Sequence, residues 1–336
     1  MPSDPTSPVP RTAAVIINPA ARGAVTVDGI REAARGLEAR GWALTIEEAD
    51  SAASTRTLAA EHARRQVDAI LMCGGDGGLL HVLNGLRDAG PTSAAVGIIP
   101  AGTGNVWARE ARIPRDPAGA LGLLETGARR RVDLGVLRLG ADGPPTRYLL
   151  VCGVGLDAAI VGAVERRTRI KRILGRVAFG LPALVAGVTW PAAPTRVEVD
   201  SDERPHPQML MTLIANTRRY GGVVPIAGAA RADSGSLEVV TFDDATNARL
   251  LHRAALVLES VRGGLDHRPV DGIAYRRGEC VVVTPTRTLP VQADGDVIGT
   301  CGPDAPLFVD VEPNAVTMIV GRGHNPLWDA ARPSGR

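Results

Sequence analysis

The sequence predicts an α/β domain followed by an all-β domain, and three observations carry that prediction. From Thr12 to Arg129, continuous apolar runs alternate with amphipathic segments, the pattern of parallel strands buried on both faces with helices between them. From Arg130 onward, short β-like segments punctuated by Gly and Pro follow at brief intervals, as in a sandwich or barrel. Two glycine clusters, Gly74-Gly75-Asp76-Gly77-Gly78 and Gly102-Thr103-Gly104-Asn105, each follow an apolar run and precede a helix-like segment. The expected division is a disordered tail over 1–10, a doubly wound α/β domain over 11–128, a β-sandwich over 129–315, and a C-terminal segment over 316–336 whose first residues return to pair with the first domain.

Each element has its own warrant. Thr12–Asn18 is a continuous apolar run, broken sharply at Asn18-Pro19. Asp28–Arg40 places Ile30, Ala33, Ala34 and Leu37 on one helical face. Trp42–Glu47 reads as a strand, and Ser54–Arg65 as a helix capped by Thr or Ser. Asp68–Cys73 is a third strand and Ala94–Ile99 a fourth, with Leu79, Leu80, Val82, Leu83 and Leu86 at helical spacing between them. In the second half, Arg130–Leu139 and Thr146–Gly153 read as a hairpin about Gly140–Pro145, and Ala158–Val188 as one long helix. Strands are expected at Thr195–Asp200, Gln208–Asn216, Ser236–Phe242, Val270–Tyr275, Glu279–Thr284, Leu289–Ala293, Leu307–Val311 and Val316–Val320, with a helix over Asn247–Val261.

Composition narrows the function. A net charge of +2 gives no global pull toward nucleic acid, and 3% aromatic residues argue against base stacking. Cys73, Cys152, Cys280 and Cys301 are widely spaced and read as buried thiols of a reducing cytoplasm. The apolar stretches Tyr148–Val164 and Val177–Trp190 are interrupted by Asp157 and Pro182. Both fall short of the roughly 18–20 residues of a membrane span. Arg166–Val177 is the one local concentration of positive charge, with Ile170, Ile173, Leu174 and Val177 on one helical face. It suits an anionic membrane surface as well as an ordinary solvated face.

The glycine clusters carry the chemistry. Glycines let backbone N–H groups approach an anion closely, and a new helix adds its positive end. Asp76 cannot bind phosphate itself, so its use is on a metal ion or a water beside one. Either cluster alone is equally an ordinary tight turn. Two of them roughly 25 residues apart match consecutive βα units, whose ligands bind beyond the strands' carboxyl ends. A Walker A loop, a complete dinucleotide fingerprint and a Gly-x-Ser-x-Gly elbow are all missing.

Five motifs in order resemble the diacylglycerol kinase catalytic family: Asn18-Pro19, Gly74-Gly75-Asp76-Gly77, Pro100-Ala101-Gly102-Thr103-Gly104-Asn105, Gly153-Val154-Gly155-Leu156-Asp157-Ala158 and Asp294-Gly295-Asp296. That family includes bacterial lipid kinases and sphingosine kinases, with NAD kinases as distant relatives. The resemblance spans about residues 12–320. It implies an NAD kinase-like nucleotide-binding domain, a C-terminal β-sandwich and an active site in the cleft between them. It also implies ATP bound by Asn18, Gly74, Gly75, Asp76, Gly77, Gly78, Gly102, Thr103, Gly104 and Asn105, with Mg²⁺ organised by Asp76. Asp296 takes the place of the base, and Asp76 and Asp294 complete the catalytic set. The implied activity is phosphorylation of a membrane-lipid hydroxyl, such as that of diacylglycerol or a sphingoid base, by a cytoplasmic protein at the membrane periphery. A homodimer is a candidate assembly, and nucleic acid is not an expected partner.

The chain departs from the family at three places. Gly78 stands where Thr is usual, and Val106 where many diacylglycerol kinases have Asp. Val223–Leu237 resembles the family's structural Mg²⁺ loop, but Ser234 falls at the metal-binding Asp, leaving Asp233 as the substitute ligand. A kinase of a soluble hydroxyl substrate, and a lipid- or nucleotide-binding protein without turnover, therefore stay open.

Overall fold

The computed structural model describes residues 11–18, 25–166, 190–220, 226–244 and 272–328. The chain forms two compact units. Unit one is Met1–Gly102, Arg112–Arg130 and Thr317–Arg322; unit two is Thr103–Ala111, Arg131–Val316 and Gly323–Arg336.

Unit one begins β1 (Arg11–Ile17), α1 (Val27–Glu38), β2 (Trp42–Glu48), α2 (Ala52–Arg64), β3 (Ala69–Gly74), α3 (Asp76–Ala89) and β4 (Ala95–Pro100). After α4 (Val106–Glu110), which belongs to unit two, α5 (Pro117–Thr126) completes it. Side-chain caps set the helix starts. Thr26 accepts the Gly29 N–H at 3.0 Å, and Ser51 accepts the Ser54 N–H at 3.1 Å. The α1 and α2 starts therefore lie earlier than the apolar spacing suggests. Asp116 caps α5 with Pro117 at its first position, the place where a missing N–H costs nothing.

β1 pairs in parallel with both β2 and β3, and β3 with β4, giving the order β4-β3-β1-β2. Right-handed crossovers then carry the chain one way from β1 and back past it from β2. They put α1 on one face and α2 and α3 on the other, in keeping with the packing of α2 on α3 and of α1 on α5. The switch point lies between β1 and β3. Every residue of β3 and β4 is buried, as expected of strands covered on both faces.

Unit two contains β5 (Ala128–Leu139, shared with unit one), β6 (Thr146–Tyr148), β7 (Val151–Gly155), α6 (Leu156–Arg166), β8 (Ala193–Val199) and β9 (Asp202–Ala215). It continues through β10 (Leu237–Asp243), β11 (Ile273–Gly278), β12 (Cys280–Pro285), β13 (Leu289–Ala293), β14 (Asp296–Cys301) and β15 (Leu307–Val320). Its main order is β14-β13-β7-β9-β8-β12-β15, antiparallel at each pairing. The last residues of β15 belong to unit one, where Met318 pairs in parallel with Val96 of β4.

Several elements differ from the sequence expectation. Thr146–Gly153 is two strands, because the backbone turns at Leu149 and Leu150 to meet a carboxylate described below. Leu307–Val311 and Val316–Val320 are one strand that runs through Pro313, which is exposed there and sacrifices no buried ladder bond. β9 starts at Asp202, its first four residues exposed, and tolerates Pro205 and Pro207. β14 was not anticipated, since Gly299 weakens its strand pattern. Cys280 is exposed, whereas the other three thiols are buried as expected. The expected helix over Asn247–Val261, and the basic and apolar segments between residues 167 and 189, lie outside the described residues. Among the described residues, no helix is long and apolar enough to cross a membrane.

Candidate active site

In unit one, the predicted residues Asn18, Gly74, Gly75, Asp76, Gly77, Gly78 and Gly102 lie at the carboxyl ends of β1, β3 and β4. The Asn18 N–H donates to the Cys73 carbonyl at 3.0 Å, and the Ala101 N–H to the Gly74 carbonyl at 2.9 Å. A Cβ on Gly75 would lie 3.2 Å from the Gly102 Cα, so the two glycine turns approach backbone to backbone. Gly75 is the N-cap of α3 and makes no side-chain cap, while Asp76, half-buried, is the helix's first residue. Gly77 and Gly78 follow in the same turn. The first-turn N–H groups have no acceptor within the helix, and they sit at its positive end beside the switch point. A helix start of this kind can accept an anion. At Gly78 a side chain would require Met72 to move. A Cβ there would meet the methyl carbon of Met72 at 2.5 Å, and Met72 is fully buried.

The second cluster is split by the unit boundary. Gly102 belongs to unit one, whereas Thr103, Gly104 and Asn105 travel with α4 in unit two. Thr103 is exposed; Asn105 adopts a left-handed conformation (φ 47°) at the N-cap of α4. The five-residue α4 is anchored by Trp107, fully buried and edge-on to Trp328 with ring centroids 6.5 Å apart. The Asn325 side chain donates to the Glu110 carbonyl at 2.6 Å, and the Arg218 N–H reaches the Glu110 carboxylate at 3.3 Å. Burial pushes Glu110 up to about 7, against the opposing pull of the Arg218 and Arg219 amides. Val106 is also buried, 7% exposed.

Elsewhere in unit two, Asp294 and Gly295 make the β13–β14 turn with φ of 49° and 92°, the two positive values of a type I′ hairpin. The geometry gives Asp294 a structural job. Its carboxylate accepts the N–H groups of Leu149, Leu150 and Val151 at 2.7, 2.8 and 3.0 Å, and so clamps the turn to the start of β7. Asp296, half-buried, opens β14 directly after that turn.

The fourth motif folds against the same hairpin. Gly155 (φ 86°) makes the turn from β7 into α6, and a Cβ there would lie 2.6 Å from the Leu210 carbonyl oxygen. Gly153 pairs across the ladder with Gln292. The space left by its missing side chain holds the carboxyl of Asp157, which would lie 1.6 Å from an added Cβ. Asp157 is 1% exposed; it accepts hydrogen bonds from Gln292 Nε2 at 2.7 Å and from the Tyr220 hydroxyl. Burial pushes it up to about 7, with the Gln292 bond pulling the other way. The sequence motifs include Asp157 without a role for it, and neither Gln292 nor Tyr220 stands out in them, since they lie 135 and 63 residues from Asp157.

Among its described residues, the loop likened to a metal site is closed by its own bonds. The Ser234 hydroxyl lies 3.0 Å from the Arg231 carbonyl and 3.1 Å from the Ser236 carbonyl, spanning the loop itself. Asp233, the expected ligand, is paired with the Arg231 guanidinium at 3.2 Å. The buried carboxylate of Asp133 holds the loop by accepting the Gly235 N–H at 2.6 Å.

Comparison with known proteins fits both units. The diacylglycerol kinase catalytic domain matches residues 12–137, and the YegS C-terminal NAD kinase β-sandwich-like domain matches residues 151–320. The chain belongs to the diacylglycerol kinase catalytic-domain family. It is 26% identical over 263 residues to a diacylglycerol kinase of Staphylococcus saprophyticus, covering 78% of this chain and 81% of that one. It is 27% identical over 282 residues to a diacylglycerol kinase of Mycobacterium tuberculosis, covering 84% and 87%. Among solved structures, a diacylglycerol kinase from Bacillus anthracis superposes with a TM-score of 0.69 at 17% identity, over 93% of this chain and 97% of that one. Yeast NADH kinase, solved with NADH, superposes with a TM-score of 0.53 at 10% identity, over 99% and 95%. The fold is therefore an NAD kinase-like N-terminal domain followed by a C-terminal β-sandwich, as the sequence predicts.

Proposed function

We propose that this diacylglycerol kinase family member is an ATP-dependent lipid kinase that transfers the γ-phosphate to a hydroxyl of a membrane lipid. The single observation that supports it most is the approach of Gly75 to Gly102 at the uncapped N-terminus of α3. Such a turn offers main-chain donors to a triphosphate, and Asn18 stands beside it. On this reading Thr103, Gly104 and Asn105 add further contacts to the nucleotide. Asp76, the acidic residue in that cradle, would hold the Mg²⁺ that accompanies the triphosphate and neutralises its charge. Phosphoryl transfer needs little more than positioning and charge neutralisation.

Asp296 is the proposed base. Its carboxylate accepts the proton of the lipid hydroxyl as that oxygen bonds to the γ-phosphorus and the bond to the ADP oxygen breaks. Asp294 holds the turn that presents it. A lipid acceptor brings the enzyme to a membrane surface, where it works peripherally. Asp296→Asn keeps the shape and removes the base, so kcat should fall by about 10²–10⁴-fold. ATP affinity, measured by calorimetry, should stay within about twofold, since uniform binding is untouched. Wild-type turnover in that variant would remove Asp296 from the role.

A further inference from the structure

We infer that Asp157 and Gln292 are positioning residues that lock the Asp294-Gly295 turn and thereby fix where the Asp296 carboxylate points. The inference rests on the reading of Asp296 as the base.

The argument begins with the two ends of one amide. Gln292 Nε2 donates to Asp157 Oδ2 at 2.7 Å, and its Oε1 accepts the Gly295 N–H at 2.9 Å. A carboxylate accepts and a peptide N–H donates, so only one orientation of the amide suits both neighbours. The reverse would set oxygen against oxygen and N–H against N–H. Asp157 thus selects the orientation in which Gln292 can hold Gly295, the residue immediately before Asp296.

Both side chains of this contact are buried. Gln292 is 2% and Asp157 1% exposed, and Gly153 leaves the volume that the carboxyl fills. The Tyr220 hydroxyl occupies the other Asp157 oxygen. If Asp157 takes up a proton, its O–H turns to the Tyr220 oxygen while Oδ2 still accepts from Gln292, so the lock holds in either state. The turn is then held on one side by the Asp294 clamp and on the other by Gln292.

Two variants test this. Gln292→Met keeps the volume and loses both bonds. It should lower kcat about tenfold, leave KM for ATP within about twofold, and speed amide exchange at Gly295 about tenfold. Exchanging the pair, Asp157→Asn with Gln292→Glu, keeps every bond: the new amide at 157 donates to the new carboxylate at 292, which accepts the Gly295 N–H. That double variant should recover kcat to within about threefold of wild type. Unchanged Gly295 exchange in a folded Gln292→Met overturns the inference, as does a folded exchanged pair that recovers nothing. Gly295 exchange does not depend on which residue is the base. Failure of the Asp296 assignment, seen as an active Asp296→Asn, is therefore distinguishable from failure of the lock.

Discussion

At the scale of single residues, Glu110 and Asp157 are carboxyls that burial pushes up to about 7. In the unfolded chain such groups titrate near pH 4. Between about pH 4 and 7 the native protein therefore holds protons that the unfolded chain has released, and its stability falls as pH rises through that window. Each group accounts for on the order of 3 kcal/mol between the two limits. Melting temperature should accordingly decline from pH 5 to pH 8, and Glu110→Gln should flatten the decline; parallel melting curves for variant and wild type would refute the assignment. Neither shift was legible in the sequence. The Glu110 environment is set by Arg218 and Asn325, more than a hundred residues away, and Asp157 meets Gln292 only through the pairing of β7 with β13. The glycine motifs were legible because their chemistry is local, written in consecutive residues.

At the scale of elements, periodicity revealed the βα units, since each strand and helix there carries its own burial pattern. It did not reveal the break at Leu149, which the distant Asp294 carboxylate imposes, nor the continuity of β15 through Pro313. The join of β7 to α6 is held by Gly153 as much as by any bond. Gly153→Ala would drive a methyl into the Asp157 carboxyl, and denaturant titration should show a loss of about 3 kcal/mol or more. The loop at Arg231–Ser236 makes the opposite kind of prediction. Because Ser234 and Arg231 close it, EDTA should leave the wild-type melting temperature unchanged, whereas Ser234→Asp should make it depend on added Mg²⁺. A drop in wild-type stability on chelation would restore a metal to that loop.

At the scale of the whole molecule, the two-part architecture was legible from the change in grammar near Arg129. The exchange of short segments between the units was not. Thr103–Ala111 belongs to unit two because Trp107 is buried against Trp328, and Thr317–Arg322 belongs to unit one. A contact spanning more than two hundred residues leaves no local trace in composition. The second glycine cluster thus has its first glycine in one unit and its Thr103, Gly104 and Asn105 in the other. The account's central claim is that this chain moves phosphate from ATP to a lipid hydroxyl. Purified protein incubated with γ-labelled ATP, Mg²⁺ and vesicles of mixed diacylglycerol and sphingoid lipids tests it most directly. The account predicts label in the extracted lipid; label confined to a water-soluble product, or ATP binding with no transfer at all, would contradict it.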